Sequence, residues 1–224
     1  MEIIPYSDSF AKEGGSFNHC ESTNPAAVFS QKTDARSPRR RKRYIMKVVA
    51  VLGSPHKNGP SSTIARAVLK GAQEAGHEVV VYELNEMNVR GCQACGYCKS
   101  HWSDCILDDD LKPYWKDLQE AGALVLAAPN YCSQINGPMI TYMNRHYCLM
   151  MRDGVRIHPG IKVIGVFSQG GPNPEAAMPA YKWFLGDFEA RKMVVQDIIV
   201  HTSAIPWDEN SEIIQRAIAA GKAL

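Results

Sequence analysis

The sequence contains no long hydrophobic run, although 45% of its 224 residues are apolar. A transmembrane helix needs roughly 20 consecutive apolar residues, and no stretch of this chain approaches that length. The N-terminus also lacks the apolar core of a secretory signal peptide. We therefore expect a globular protein of the cytoplasm that does not enter a membrane.

Two nucleotide-binding signatures are also absent. The chain has no G-x4-G-K-[ST] loop, which cradles nucleoside triphosphates, and no G-x-G-x-x-G fingerprint, which binds dinucleotides in Rossmann folds. These absences argue against an ATPase or kinase and against a dehydrogenase that holds NAD in the Rossmann manner. A ligand with a single phosphate is still compatible with the sequence.

Positive charge is concentrated near the N-terminus. Residues 1–45 hold 8 Lys and Arg against 5 Asp and Glu, whereas the rest of the chain holds 17 against 18. Because this segment has no apolar periodicity, we predict a disordered basic leader, or a stretch that precedes a translation start at Met46. A basic arm that touches RNA, an anionic surface or a neighbouring subunit is the alternative. The body has no excess positive charge, so we expect no nucleic-acid partner.

From residue 46 onwards, strand and helix patterns alternate. Apolar and β-branched runs, typical of strands buried on both faces, begin near residues 47, 78, 123, 163 and 193. Helical patterns follow them over about 64–75, 111–121, 137–151, 174–190 and 209–223. Five such repeats predict an α/β domain over residues 46–224, with a doubly wound five-stranded parallel sheet and helices on both faces.

Ligands of doubly wound sheets bind at the carboxyl ends of the strands, and three polar loops leave that edge. The first loop, residues 54–63, reads S-P-H-K-N-G-P-S-S-T and places hydroxyls and an amide before a helix N-terminus. Free backbone N–H groups collect anions at such a position. The pattern predicts binding of a phosphate monoester, although an ordinary serine-capped helix would also explain the hydroxyls.

The other two loops offer features suited to a flat heterocycle. The second loop, residues 129–137, supplies an aromatic ring and several amides directly after a buried strand. Its Cys132 is either a small residue of the loop or a reactive thiol beside a cofactor. The third loop, residues 168–174, contains two adjacent glycines, which would let the backbone approach a ring edge closely. A plain strand-to-helix turn is the alternative for this loop.

Four of the seven cysteines lie in one loop, residues 88–107, with the spacing C-x2-C-x2-C-x6-C. A curled backbone, helped by Gly91 and Gly96, could direct all four thiolates to one cubane cluster, which needs one thiolate per iron. Zinc fits less well, since its four-cysteine sites usually separate two C-x-x-C pairs by some ~15–20 residues. Disulfides fit poorly in a reducing cytoplasm. Four free cysteines in an unfilled site are the remaining alternative.

These motifs resemble those of the flavodoxin-like NAD(P)H-dependent FMN reductase superfamily. The resemblance covers residues 46 to about 207 and rests on G-S-P-x-x-N-G from residue 53, A-P-N-Y from residue 128 and N-G-P-M from residue 136. The compact cysteine motif, followed by D-D-D-L, is similar to that of the iron–sulfur flavoprotein branch. The resemblance implies the strand order 2-1-3-4-5, bound FMN, a [4Fe–4S] cluster and a homo-oligomer, a dimer or tetramer, in which a cluster faces the flavin of a neighbouring subunit.

The resemblance also implies site residues, position by position. The cluster ligands would be Cys92, Cys95, Cys98 and Cys105. Residues of the flavin site, with Cys132 as the candidate thiol beside it, would be Ser54, His56, Asn58, Ser61, Ser62, Pro129, Asn130, Tyr131, Ser133, Gln134, Ile135, Ser168, Gly170 and Gly171. Two departures would weaken phosphate binding: His56 stands where the family often has Arg, and Pro60, which has no N–H, stands where Asn is common.

Two redox functions follow from this resemblance. The first is electron transfer between FMN and a [4Fe–4S] cluster, with a redox partner protein or a small acceptor such as a quinone or flavin. The second is an NAD(P)H-dependent FMN or quinone reductase in which the cysteine site is unfilled. Neither requires a catalytic acid, base or nucleophile, because the cofactors carry the chemistry. We interpret Arg145, on the helix after the second loop, as an ion-pair or interface residue.

Overall fold

The alternating apolar runs form alternating strands and helices in the structure, which is a computed structural model. It describes residues 45–151, 154–155 and 158–224. The prediction of a disordered basic leader therefore lies outside the described residues, apart from Ile45. In chain order the elements are β1 (Lys47–Leu52), α1 (Pro60–Glu74), β2 (Glu78–Glu83), α2 (Tyr97–His101), α3 (Tyr114–Glu120), β3 (Ala121–Tyr131), β4 (Gln134–Ile135), α4 (Gly137–Arg145), β5 (Met150–Met151), β6 (Gly154–Val155), β7 (Lys162–Gln169), α5 (Met178–Glu189), β8 (Val194–Thr202) and α6 (Glu212–Lys222).

Five parallel strands make up the central sheet, in the order β2-β1-β3-β7-β8. Counted along the chain, this is the predicted order 2-1-3-4-5, and the prediction of a flavodoxin-like doubly wound fold is confirmed. Three short strands were not predicted. The strand β4 pairs antiparallel with the end of β3, and β5 pairs antiparallel with β6 in a separate sheet.

The helices cover both faces of the sheet, as the buried central strands require. One hydrophobic cluster joins β1, β3 and β7 to α1 and α6 on one face. The other face packs against α3, α4 and α5. In the part of the chain that the structure describes, no helix combines the length and hydrophobicity needed to cross a bilayer.

Several helix boundaries differ from the sequence-based expectation. Helix α1 begins at Pro60 rather than near residue 64, because proline is favoured in the first turn, where its missing N–H costs nothing. Helix α3 begins at Tyr114 rather than near residue 111. The acidic run Asp108–Asp110 therefore lies several residues before α3, and its role is described below.

Helices α1 and α6 approach each other closely through two glycines. A Cβ atom on Gly71 would overlap the backbone oxygen of Ile218, and one on Gly221 would overlap the backbone oxygen of Val68. Both obstacles are backbone atoms inside helices, which cannot rotate away as a flexible side chain can. The packing of α6 on α1 therefore depends on the absence of side chains at these two positions.

We predict that Gly221→Ala lowers the free energy of unfolding by about 1–3 kcal/mol, because the added methyl group forces the two helices apart. Urea denaturation followed by circular dichroism measures this change. The matched control is Gly186→Ala in α5, where a Cβ atom would meet open space. We expect that control to be neutral or more stable, since alanine favours a helix over glycine by about 1 kcal/mol. Equal stability of Gly221→Ala and the unmodified protein would contradict the prediction.

Candidate functional site

A cleft of about 630 Å³ lies at the carboxyl ends of the parallel strands, within the size range of small-molecule sites. All three loops predicted from the sequence contribute to it, and a fourth segment, after β8, completes it. The lining residues are Ser54, His56, Asn58, Gly59, Pro60, Pro129, Asn130, Tyr131, Ser168, Gln169, Gly170, His201, Ser203 and Trp207.

The first loop leads into a helix start that no side chain caps. Gly59 occupies the N-cap position of α1, and its neighbours give no capping hydrogen bond. The hydroxyl of Ser54 is used within the loop, where it accepts from the backbone N–H of His56 at 3.1 Å. Ser61 and Ser62 are buried behind the cleft wall, and the Ser62 hydroxyl has no hydrogen-bond partner. Unsatisfied donors at a helix N-terminus make this end of the cleft suited to an anion.

The second loop is a β-hairpin rather than an irregular loop. Strand β3 continues through Pro129 to Tyr131, and β4 returns beside it. The turn residues Cys132 and Ser133 have φ values of 52° and 62°, the left-handed pattern of a two-residue hairpin turn. The hairpin reverses the chain at the cleft edge. Consequently, some of the predicted site residues do not line the cleft: Cys132, Ser133 and Gln134 are exposed outside it, and Ile135 is buried beneath it.

Asn136 holds this hairpin over the end of β1. Its side chain is buried, and its Nδ2 donates a 2.5 Å hydrogen bond to the carbonyl oxygen of Gly53. Its backbone N–H donates to the carbonyl oxygen of Pro129 at 3.2 Å. Asn136 had no predicted role, although it belongs to the N-G-P-M segment on which the resemblance rests.

The third loop contributes Ser168, Gln169 and Gly170 to the cleft, whereas Gly171 lies outside the lining. Gln169 is fixed from both ends of its amide: Oε1 accepts a hydrogen bond from Tyr181 at 2.9 Å, and Nε2 donates to the backbone of the same loop. Burial raises the pKa of Tyr181 to about 12. The phenol therefore stays a hydrogen-bond donor at neutral pH.

The wall that follows β8 was missed by the sequence analysis. His201, Ser203 and Trp207 come from a segment without any recognisable motif, and only the position of β8 beside β7 brings them to the cleft. The imidazole of His201 lies 2.9 Å from the carbonyl oxygen of Ile205. Burial lowers the pKa of His201 below its ordinary value, which favours the neutral ring.

A second, smaller hollow contains all four cysteines of the compact motif. Cys92 and Cys95 are exposed, Cys105 is half-buried and Cys98 is buried, and Cys148 lines the same hollow from another segment. Burial raises the pKa of Cys98, the charge of Lys99 partly offsets this, and the neighbouring thiols add a smaller increase. The six cysteines in the described part of the chain are all free thiols. In that same part, no group of three or more His, Cys, Asp or Glu side chains is placed to hold a metal ion.

The cysteine loop curls through left-handed residues, as predicted, but not all at the predicted positions. Gly96 has a φ of 71°, as expected for a residue that helps the curl, and it directly precedes α2, a short helix that was not predicted. Gly91 is not in the left-handed region, and Ala94, with a φ of 50°, takes that conformation instead. Trp102, between the third and fourth cysteines, is also left-handed, with a φ of 53°, so the curl extends along the whole cysteine motif.

The two ends of the cysteine loop are joined at its base by the acidic run. The carboxylate of Asp110 accepts from the backbone N–H of Asn88 at 2.6 Å, and that of Asp109 accepts from the backbone N–H of Arg90 at 3.2 Å. Arg145 forms a buried ion pair with Asp109 from the end of α4, which confirms its interpretation as an ion-pair residue. These contacts explain why the acids lie before α3 rather than in it.

Comparison with known families gives a match over most of this domain. A family model described as NADPH-dependent FMN reductase matches residues 46–195. An iron–sulfur flavoprotein from Methanosarcina thermophila is 24% identical over 170 residues, which cover 75% of this chain and 85% of that protein. An iron–sulfur flavoprotein from Archaeoglobus fulgidus is 32% identical over 100 residues. That alignment spans only 45% of each protein.

Solved structures share the fold at low sequence identity. An NAD(P)H:quinone oxidoreductase from Methanothermobacter marburgensis superposes with a TM-score of 0.63 at 20% identity, covering 80% of this chain and 96% of that one. An azoreductase from Bacillus anthracis gives a TM-score of 0.58 at 18% identity, covering 80% of this chain and 98% of that one. At these identities the likeness establishes the arrangement of strands and helices only.

We predict that Asn136→Ala lowers the free energy of unfolding by about 1–3 kcal/mol, because it leaves the buried carbonyl of Gly53 without its donor. Chemical denaturation measures the change. Asn144→Ala is the matched control, since Asn144 is exposed and bonds only within its own helix. An unchanged denaturation midpoint for Asn136→Ala would show that the hairpin does not depend on this contact.

Proposed function

The chain belongs to the NADPH-dependent FMN reductase family of oxidoreductases, and we propose that it is an iron–sulfur flavoprotein that transfers electrons between FMN and a [4Fe–4S] cluster. The observation that carries this proposal is the presence, on one sheet, of two separate sites. One is an open cleft with an uncapped helix N-terminus, and the other is a small hollow that all four motif cysteines line.

The residues of the cleft fit FMN. The phosphate would lie at the start of α1, where the N-cap residue gives no capping bond and the Ser62 hydroxyl is buried without a partner. The ring system would lie toward Asn130 and Tyr131, which line the cleft. Orphaned donors such as those at the start of α1 are costly unless a ligand or water satisfies them.

The donor set of the hollow fits an iron–sulfur cluster. Four thiols are the ligands that a cubane requires, and Cys92, Cys95, Cys98 and Cys105 all line the same hollow. Its remaining walls include the apolar side chains of Ile106 and Leu107, which would limit the access of water.

FMN exchanges one or two electrons and a [4Fe–4S] cluster exchanges one, so together they can split or combine two-electron equivalents. The protein's own residues supply binding, orientation and exclusion of water. Asn136 fixes the hairpin that carries Tyr131, and Tyr181 fixes the amide of Gln169 in the cleft wall. No side chain is required as an acid, base or nucleophile.

We predict that protein purified without oxygen contains about four iron atoms per chain, one for each motif cysteine, and about one FMN. Cys98→Ser should lose most of the iron while FMN remains. Cys132→Ser should keep both, because Cys132 is exposed at the hairpin turn and lines neither the cleft nor the hollow. Iron analysis and the visible spectrum measure these outcomes, and iron-free yellow protein would refute the cluster.

A negative charge beside α1 should weaken the phosphate contact selectively. Asn58 is exposed and lines the cleft near this helix start, so Asn58→Asp should reduce the affinity for FMN by about tenfold through repulsion of the phosphate. Riboflavin, which has no phosphate, should bind both proteins equally. Fluorescence titration measures both affinities, with Asn144→Asp as a control on α4. An equal loss for FMN and riboflavin would place the phosphate elsewhere.

The alternative function is an NAD(P)H-dependent FMN or quinone reductase whose cysteine site is unfilled. The open side of the cleft favours this alternative. Half of the Tyr131 surface is exposed there, so the ring of a nicotinamide or a quinone could reach the flavin. Rapid reduction of bound FMN by NADPH in iron-free protein would support this function. A homo-oligomer, and a redox partner protein or a small acceptor such as a quinone or flavin, remain predictions from the family resemblance.

A further inference from the structure

Arg145 is a fully buried cation at the edge of the cysteine hollow. It is the last residue of α4, and its side chain has no exposed surface. A buried guanidinium is unfavourable unless opposite charge and hydrogen-bond acceptors surround it. Its position therefore calls for an explanation from its contacts.

The contacts of Arg145 reach both ends of the cysteine loop. Nη1 donates to the carbonyl oxygen of Arg90 at 2.9 Å and forms the ion pair with Asp109. The contacts with Arg90 and Asp109 are sufficient to hold the two ends of the loop together at its base. A third contact has a different target, since Nε donates to the sulfur of Cys105 at 3.3 Å. Nη2 is buried without a partner. One edge of the guanidinium is thus held by the loop base while Nε is directed at a predicted cluster ligand.

We propose that Arg145 is a positioning residue that sets the reduction potential of the cysteine site, through its hydrogen bond to Cys105 and its buried ion pair with Asp109. The inference deepens the proposed function and rests on it. Hydrogen bonds to the sulfurs and the net charge nearby are two of the factors that tune iron–sulfur potentials.

The sign of each contribution follows from the charge that reduction adds. One electron enters from FMN, or from dithionite in a titration, and no proton moves and no bond of Arg145 breaks. The added negative charge is spread over the sulfurs, so the cation and its N–H donor favour the reduced state. The carboxylate of Asp109 is also buried, and it opposes reduction. With both charges present, the reduction potential therefore lies between the higher value expected with Arg145 alone and the lower value expected with Asp109 alone.

The test is a spectroelectrochemical titration of iron-loaded protein. Arg145→Met should lower the reduced-to-oxidised ratio at a given applied potential by about tenfold, a shift of ~59 mV for a one-electron couple. Arg145→Lys should shift it in the same direction by less, because an ammonium keeps the charge but lacks the planar fork that serves both partners. Asp109→Asn should shift the potential upwards, since it removes the opposing charge and leaves Arg145 in place.

The matched control is Arg191→Met. Arg191 is equally buried and is ion-paired with Asp187, but it does not line the cysteine hollow. It should lose stability without a change in potential. Opposite shifts for Arg145→Met and Asp109→Asn would support the inference, because mere loosening of the loop would move both variants in the same direction.

Three outcomes would overturn the inference. If the unmodified protein binds no iron, both the proposed function and this inference fail. If it binds iron and the potentials of all variants agree, the inference fails and the proposed function stands. If all three variants at Arg145 and Asp109 lose iron while Arg191→Met retains it, the role of the pair is structural. Iron analysis of each variant, made before the titration, separates these cases.

Discussion

The burial of the central strands on both faces is the constraint on which the rest of the structure depends. Strands β1, β3 and β7 present apolar side chains to both sides, so helices must cover both faces of the sheet. Each strand then returns through a helix, and every strand-to-helix loop leaves the same edge of the sheet. The cleft is a consequence of this arrangement, because loops distant in sequence meet at that edge.

Helix α4 connects the two candidate sites. Just before its first residue, Asn136 contacts the end of β1 beside the cleft, and its last residue, Arg145, contacts the cysteine loop. Nine helical residues span about 13 Å, so the hairpin of the cleft and the base of the cysteine loop are attached to opposite ends of one short rigid element. A displacement of α4 would therefore be felt at both sites.

The buried charges of the cysteine loop have a cost that the fold offsets locally. An ion pair such as Arg145 with Asp109 is often no more stabilising than a well-packed hydrophobic pair, so its presence is weak support for a role in stability alone. The carboxylates of Asp109 and Asp110 also accept hydrogen bonds from backbone N–H groups at the base of the cysteine loop. These bonds take the place of the strand-to-strand hydrogen bonds that a long loop lacks. These charged side chains therefore hold the cysteine loop closed, and they also lie beside its thiols.

Local pattern determined the number of parallel strands, the three polar loops and the grouping of four cysteines, because these depend on short-range periodicity and spacing, whereas the strand order was implied by the family resemblance. Only the tertiary structure decided which side chains face the cleft. The two-residue turn between β3 and β4 carries Cys132 and Ser133 away from the cleft. Strand β8, which pairs with β7, brings in His201, for which the sequence offered no signal. The contact of Arg145 with Cys105 joins residues 40 positions apart. Such contacts follow from how helices pack on the sheet, and no local pattern in the chain specifies them.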